Sequence, residues 1–87
     1  MAHESHAGII KRLKVANGHL KKTIEMIEDE RSCVELAQQL AAVESAIRSA
    51  KIRLIHDHVD HCLSDSIKNQ GNESELVNEF KQITKFL

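Results

Sequence analysis

From Ser32 onward no glycine interrupts the chain until Gly71, and proline is absent altogether. A stretch that long without a helix breaker has few ways to fold other than as one continuous helix. Within it Leu36, Leu40, Val43, Ile47, Ala50, Leu54 and Val59 recur, for most of its length, at spacings of three and four. That is the period of one helical face, and Ala37, Ala41, Ala42 and Ala46 beside it allow close approach of another helix. Ser32 followed by Glu35 is a capping-box pattern. The spacing therefore predicts a helix from about Ser32 to Ile67, ~50 Å long at 1.5 Å per residue. So long a helix finds no companion of its own length in this chain. Symmetric pairing of two copies covers its apolar face without any other partner.

The flanking segments are shorter. Residues 1–7, MAHESHA, are small and polar and read as a flexible arm, with Ser5 able to cap a following helix. From Gly8 to about Glu30 the residues Ile9, Leu13, Ala16, Leu20, Ile24 and Ile27 form one amphipathic stripe, which Asn17 and Gly18 weaken. EDERS, Glu28 to Ser32, marks the first break. NQGN, Asn69 to Asn72, marks the second, and Asn72 with Glu75 caps a short third helix bearing Leu76, Phe80, Ile83 and Leu87. With no Trp or Tyr and only two Phe, little is present to pack a sheet. The expectation is an all-α, three-helix protomer forming one domain over residues 1–87. A chain this short buries only ~60 to 65% of its unfolded surface, so self-association is also expected.

The formal net charge of −1, from 12 basic and 13 acidic residues, gives no global electrostatic argument for nucleic acid or membrane. Any basic surface is local: Lys11, Arg12, Lys14, Lys21 and Lys22 before the first break, and Arg48, Lys51 and Arg53 in the long helix, stand as candidates, with plain solvated surface as the alternative. No apolar run approaches the ~20 residues of a membrane span. Two cysteines without a signal-like segment point to a reducing cytoplasm and not to a disulfide framework.

Chemistry is concentrated in HDHVDHC, His56 to Cys62. On a helix His58 and Cys62 share one face at the spacing that lets two side chains hold one metal, while His61 with Asp57 and Asp60 with His56 fall on others. The plain alternative is a solvated helix end. Cys33, just after the Ser32 cap, occupies the first helical position, where the terminal partial charge favours the anionic sulfur that ligates metals; a buried structural cysteine is the alternative. Cys33 and His58 are 25 residues apart on the same predicted helix, ~37 Å at 1.5 Å per residue. Only a second chain brings them together. An antiparallel pair sets Cys33 of one copy beside His58 and Cys62 of the other, twice by symmetry. That set of two sulfurs and one nitrogen suits Cu(I), with room for a fourth ligand if Ni(II), Co(II) or Zn(II) is bound.

These residues resemble the CsoR/RcnR/FrmR family of small cytosolic transcriptional repressors. The resemblance rests on RLK at Arg12 to Lys14, on Gly18, on RSCVELAQQLAAV around Cys33, and on IHDHVDHC ending at Cys62, and it spans essentially the whole chain. It implies a three-helix protomer with a long central helix, an antiparallel bundle dimer and a disc-like tetramer. It further implies a metal-free form that binds operator DNA and lets go when the inducer binds. Cys33, His58 and Cys62 match the family's metal ligands, and His3 and His6 lie where nickel- and cobalt-sensing members add a nitrogen. Copper-sensing members carry an aromatic before the first cysteine and a supporting glutamate in the last helix. Here the first is Ser32, and Glu75 is the candidate for the second, with helix capping as its alternative role. Glu44 stands where several members have arginine.

Other classes stay in view. A metal buffer would bind the same ions without affinity for DNA, and a formaldehyde-responsive repressor would use Cys33. A hydrolytic enzyme built on the His/Asp cluster is disfavoured, because no Gly-rich loop, nucleophile elbow or HExxH pattern occurs and so small a bundle offers little pocket.

Overall fold

The computed structural model describes the backbone of residues 4–68 and 73–87 and the side chains of residues 6–60, 75 and 77–87. Three helices account for it: α1 (Glu4–Glu28), α2 (Cys33–Lys68) and α3 (Glu73–Thr84). No strand occurs among the described residues, so the fold is all-α as the composition implies. α2 differs from its predicted bounds by one residue at each end. α1 begins at Glu4 instead of Gly8, which makes Glu4 to Ala7 of the expected arm helical and puts Ser5 inside the helix instead of at its cap. The predicted start followed the first apolar residue of the stripe, whereas nothing in ESHA opposes helix and Glu4 favours a helix N-terminus. Met1 to His3 lie outside the described residues, as do Asn69 to Asn72 with the expected second break and cap.

The α1–α2 connection is tightly specified. Arg31 N donates to Met26 O at 3.2 Å and Glu30 N to Ile27 O at 3.1 Å, the paired bonds of a Schellman C-cap. Glu30 accordingly adopts the left-handed backbone, φ 58°. Ser32 then caps α2: its carbonyl accepts from Leu36 N at 3.0 Å and its Oγ from Glu35 N at 3.2 Å. The Glu35 carboxylate is taken by Arg31 Nη2 at 2.6 Å.

The chain forms two compact units, Met1–Lys51 and Ile52–Leu87. In the first, α1 lies antiparallel to the N-terminal half of α2, with His19 Nε2 against Gln39 Oε1. Ile9, Ala16 and Thr23 are buried at seven-residue intervals on α1, facing Val43 and Ala50 on α2. Thr23, fully buried, satisfies its hydroxyl by donating to His19 O at 2.9 Å. Only half of each predicted stripe is used in this way. Leu13, Ile24 and Ile27 on α1, and Leu40 and Ile47 on α2, stay 42–49% exposed. Threes and fours weave two ridges, and a single partner helix covers one of them.

In the second unit α3 packs back along the last turns of α2, where Ile55 is buried. Ile55, His56, Val59 and Asp60 of α2 and Phe80, Thr84 and Leu87 of the C-terminal segment line a concavity of about 430 Å³. Leu54, Phe80 and Leu87 from the predicted stripes remain exposed, and the side chain of Leu76 lies outside those described. No helix among the described residues is long and apolar enough to cross a membrane.

Candidate metal centre and nucleic-acid face

Cys33 is the first residue of α2 and is a free, exposed thiol, not a buried structural one. Its backbone position is set by the left-handed Glu30 turn and the Ser32 cap that precede it. The sulfur is therefore presented to solvent from a fixed position.

His58 sits in the second unit on α2. Its Nε2 meets Glu79 Oε1 of α3 at 2.6 Å, across 21 residues of chain, and the two side chains are 36% and 47% exposed. A carboxylate holding one imidazole nitrogen orients the ring and raises the basicity of the other, which is the usual support behind a metal-ligating histidine. Glu75, the predicted glutamate, is exposed one turn earlier on α3. Glu79 escaped sequence reasoning because a contact over that separation leaves no local pattern; the only signal was a histidine on α2 and a helix bound to fold back over it.

Of the remaining candidates, Cys62 and His61 belong to α2 with side chains outside those described, and His3 lies outside the described residues. His6 is half-buried within α1. Among the described residues of one chain, no three His, Cys, Asp or Glu groups gather to hold a metal. The donor set present, an exposed thiol and a carboxylate-backed imidazole, fits a borderline or soft transition ion.

The candidate DNA-contacting residues of α1, Lys11, Arg12, Lys14, Lys21 and Lys22, are all exposed. At 3.6 residues per turn Lys11, Lys14, Lys21 and Lys22 fall on one face roughly opposite Ile9, Ala16 and Thr23, while Arg12 turns toward α2. Lys11, Arg12 and Val15 line a groove of about 300 Å³ with Ala46 and Ser49 of α2. Arg48 is exposed beside that groove in sequence and Lys51 is half-buried; Arg53, in the second unit, is exposed.

Residues 5–85 match the family model of metal-sensitive transcriptional repressors, and the chain belongs to that family. It is 38% identical over 80 residues to the copper-sensing transcriptional repressor CsoR of Bacillus subtilis (strain 168), covering 88% of this chain and 79% of the relative. Among solved structures it is similar to the nickel-responsive transcriptional regulator InrS, with a TM-score of 0.86 at 27% identity over 100% of this chain and 98% of that one. It is also similar to the copper-sensing repressor CsoR with Cu(I) from Geobacillus thermodenitrificans NG80-2, with a TM-score of 0.75 at 30% identity over 97% and 91%. These relatives are transcriptional regulators and not enzymes, in line with the absence of catalytic motifs from the sequence.

Proposed function

We propose that this chain is a transition-metal-responsive repressor acting in the cytoplasm, which binds operator DNA in its metal-free form and releases it when Cu(I), or Ni(II) or Co(II), binds between subunits. Cys33 of one copy and His58 with Cys62 of its partner are the ligands. The observation that carries the reading is the His58–Glu79 pair at 2.6 Å, a histidine already held by a carboxylate as a ligand is held. Glu79, not Glu75, is then the supporting glutamate of α3.

Cross-chain ligation is supported by α2 itself, which carries Cys33 and His58 on one uninterrupted helix. It is also supported by the apolar ridge of Leu40, Ile47 and Leu54, exposed at seven-residue intervals along that helix and suited to an antiparallel copy. Dimers of this kind, paired into tetramers, are the assembly proposed. A bound ion supplies bonding across the interface that the metal-free form lacks, and by that differential affinity it biases the assembly toward a state whose basic faces no longer match DNA. Three ligands, two of them sulfur, favour Cu(I); a fourth donor from His3 or His6 adapts the site to Ni(II) or Co(II), and Zn(II) is the four-coordinate competitor.

The test is an anaerobic titration of reduced protein with each of the four ions, followed by absorbance and by release of a labelled duplex from upstream of its gene. Cys33→Ala should abolish both responses; unchanged stoichiometry and spectrum in that variant would refute the intersubunit site. The exposure of Cys33 also admits a formaldehyde-responsive repressor. In that case formaldehyde alone releases the DNA, and His58→Ala leaves the release intact.

A further inference from the structure

The seam between α1 and α2 in the first unit is largely apolar. Ile9 and Ala16 on α1 and Val43 and Ala50 on α2 are buried in it. Apolar burial is non-directional, so contacts of this kind oppose separation of the helices more than rotation of one against the other. Thr23 is buried there too, but its hydroxyl donates within α1, to His19 O at 2.9 Å. A directional bond across the seam comes from the half-buried pair His19 and Gln39, with His19 Nε2 2.5 Å from Gln39 Oε1. An amide oxygen only accepts, so the ring nitrogen is the donor. Such a bond weakens steeply as it bends, and it therefore fixes the rotation of α1 about its own axis in a way that the apolar contacts do not.

The pair stands between the two halves of the proposed function. Gln39 follows Cys33 by six residues of uninterrupted helix, ~9 Å along the axis. On α1, Arg12 precedes His19 by seven residues and Lys22 follows it by three, which at ~100° per residue places them ~20° and ~60° from it around the helix. One end of the bond is thus joined rigidly to a proposed ligand, and the other sets the direction of α1's basic side chains. We propose that His19 and Gln39 are positioning residues that couple metal binding to DNA release. The inference rests on the repressor reading above and adds the element through which its two sites communicate. When Cys33 enters ligation with a second copy, the first turns of α2 move with it as one rigid piece that includes Gln39. The hydrogen bond carries that movement into α1 and turns Arg12 and Lys22 away from the orientation that binds DNA. Communication of this sort needs a connected element whose arrangement both sites bias, and the bonded pair supplies it.

The test measures coupling separately from either binding event. With reduced protein under anaerobic conditions, the dissociation constant for the duplex from upstream of the gene is determined without metal and with saturating Cu(I). The ratio of the two is the coupling, ordinarily ~5–150-fold between linked sites. His19→Ala and Gln39→Leu should each bring that ratio below about 5, while Cu(I) stoichiometry and metal-free DNA affinity match the wild type. The double variant should lose no more than either single one, because both remove the same bond. His19→Gln, which keeps a donor, and Gln39→Glu, which keeps an acceptor, should retain most of the ratio. A wild-type ratio in both His19→Ala and Gln39→Leu overturns the coupling role and leaves the repressor reading intact. Equal losses in Gln39→Glu and Gln39→Leu also overturn it, since the bond is then not what matters. So does a metal-free DNA affinity that falls as far as the ratio does, which marks the pair as merely holding the hairpin together. Absence of any Cu(I) effect in the wild-type protein overturns the repressor reading and the coupling with it.

Discussion

Glu30 adopts a left-handed backbone, φ 58°, at the position after α1 where glycine is the common residue. For a residue with a Cβ that conformation costs about 1–2 kcal/mol, and the Schellman bonds from Glu30 and Arg31 hold it in place. Glu30→Gly relieves the strain and gives back about 0.4–1 kcal/mol through the looser unfolded chain, leaving a net gain of roughly 0.5–1 kcal/mol. Glu30→Val should destabilise by a similar amount or more. Urea midpoints at one fixed protein concentration check both, since assembly makes stability concentration-dependent. The two α3 glutamates give a second contrast. Removing the carboxylate behind a ligating histidine typically lowers metal affinity ~10–100-fold. Glu79→Ala should show that loss by competition with a chelator, whereas Glu75→Ala, one turn away and exposed, should bind metal like the wild type. Equal losses in the two variants would mean that the His58–Glu79 bond has no bearing on ligation.

At the scale of elements, α1 passes straight through Asn17 and Gly18 despite their poor helix propensity. A Cβ built on Gly18 meets nothing within 4 Å, and no glycine among the described residues has positive φ. Gly18→Ala should therefore add roughly 0.5–1 kcal/mol to stability, read as a higher thermal midpoint. A lower midpoint would instead show that another copy packs closely against that face. Much of this element structure was legible in the sequence: the absence of breakers set the length of α2, and Ser32 marked its start to within a residue. The boundary of α1 was less legible, because a polar segment without a breaker gives no signal of whether it continues a helix. Burial was legible only by halves. Spacing identified the stripe of Ile9, Leu13, Ala16, Leu20, Ile24 and Ile27 but not which ridge its own hairpin uses, and a fully buried Thr23 carries no apolar signal at all. In the candidate site, local patterns marked Cys33 and His58, while the Glu79 partner depended on tertiary folding that no spacing records.

At the scale of the whole molecule, large apolar side chains remain exposed, among them Leu40, Ile47 and Leu54 on one ridge of α2, and an antiparallel copy of the chain is their proposed cover. Ile47→Asp introduces a charge at the centre of that ridge and should reduce the assembly to monomers by sedimentation. Metal affinity should fall with it, although every proposed ligand is retained. A mixing experiment asks the same question without disturbing the ridge. Cys33→Ala protein lacks the sulfur at the start of α2, and the double variant His58→Ala/Cys62→Ala lacks the donors near its end, so neither alone forms a site. After exchange of equal amounts, a site is whole only where its Cys33 comes from the double variant and its His58 and Cys62 come from the single one. Random association satisfies the first condition in about half of sites and the second in about half of those, so metal stoichiometry should recover to about one quarter of wild type in any closed assembly. Ligands drawn from one chain would give no recovery, because no chain in the mixture carries all three.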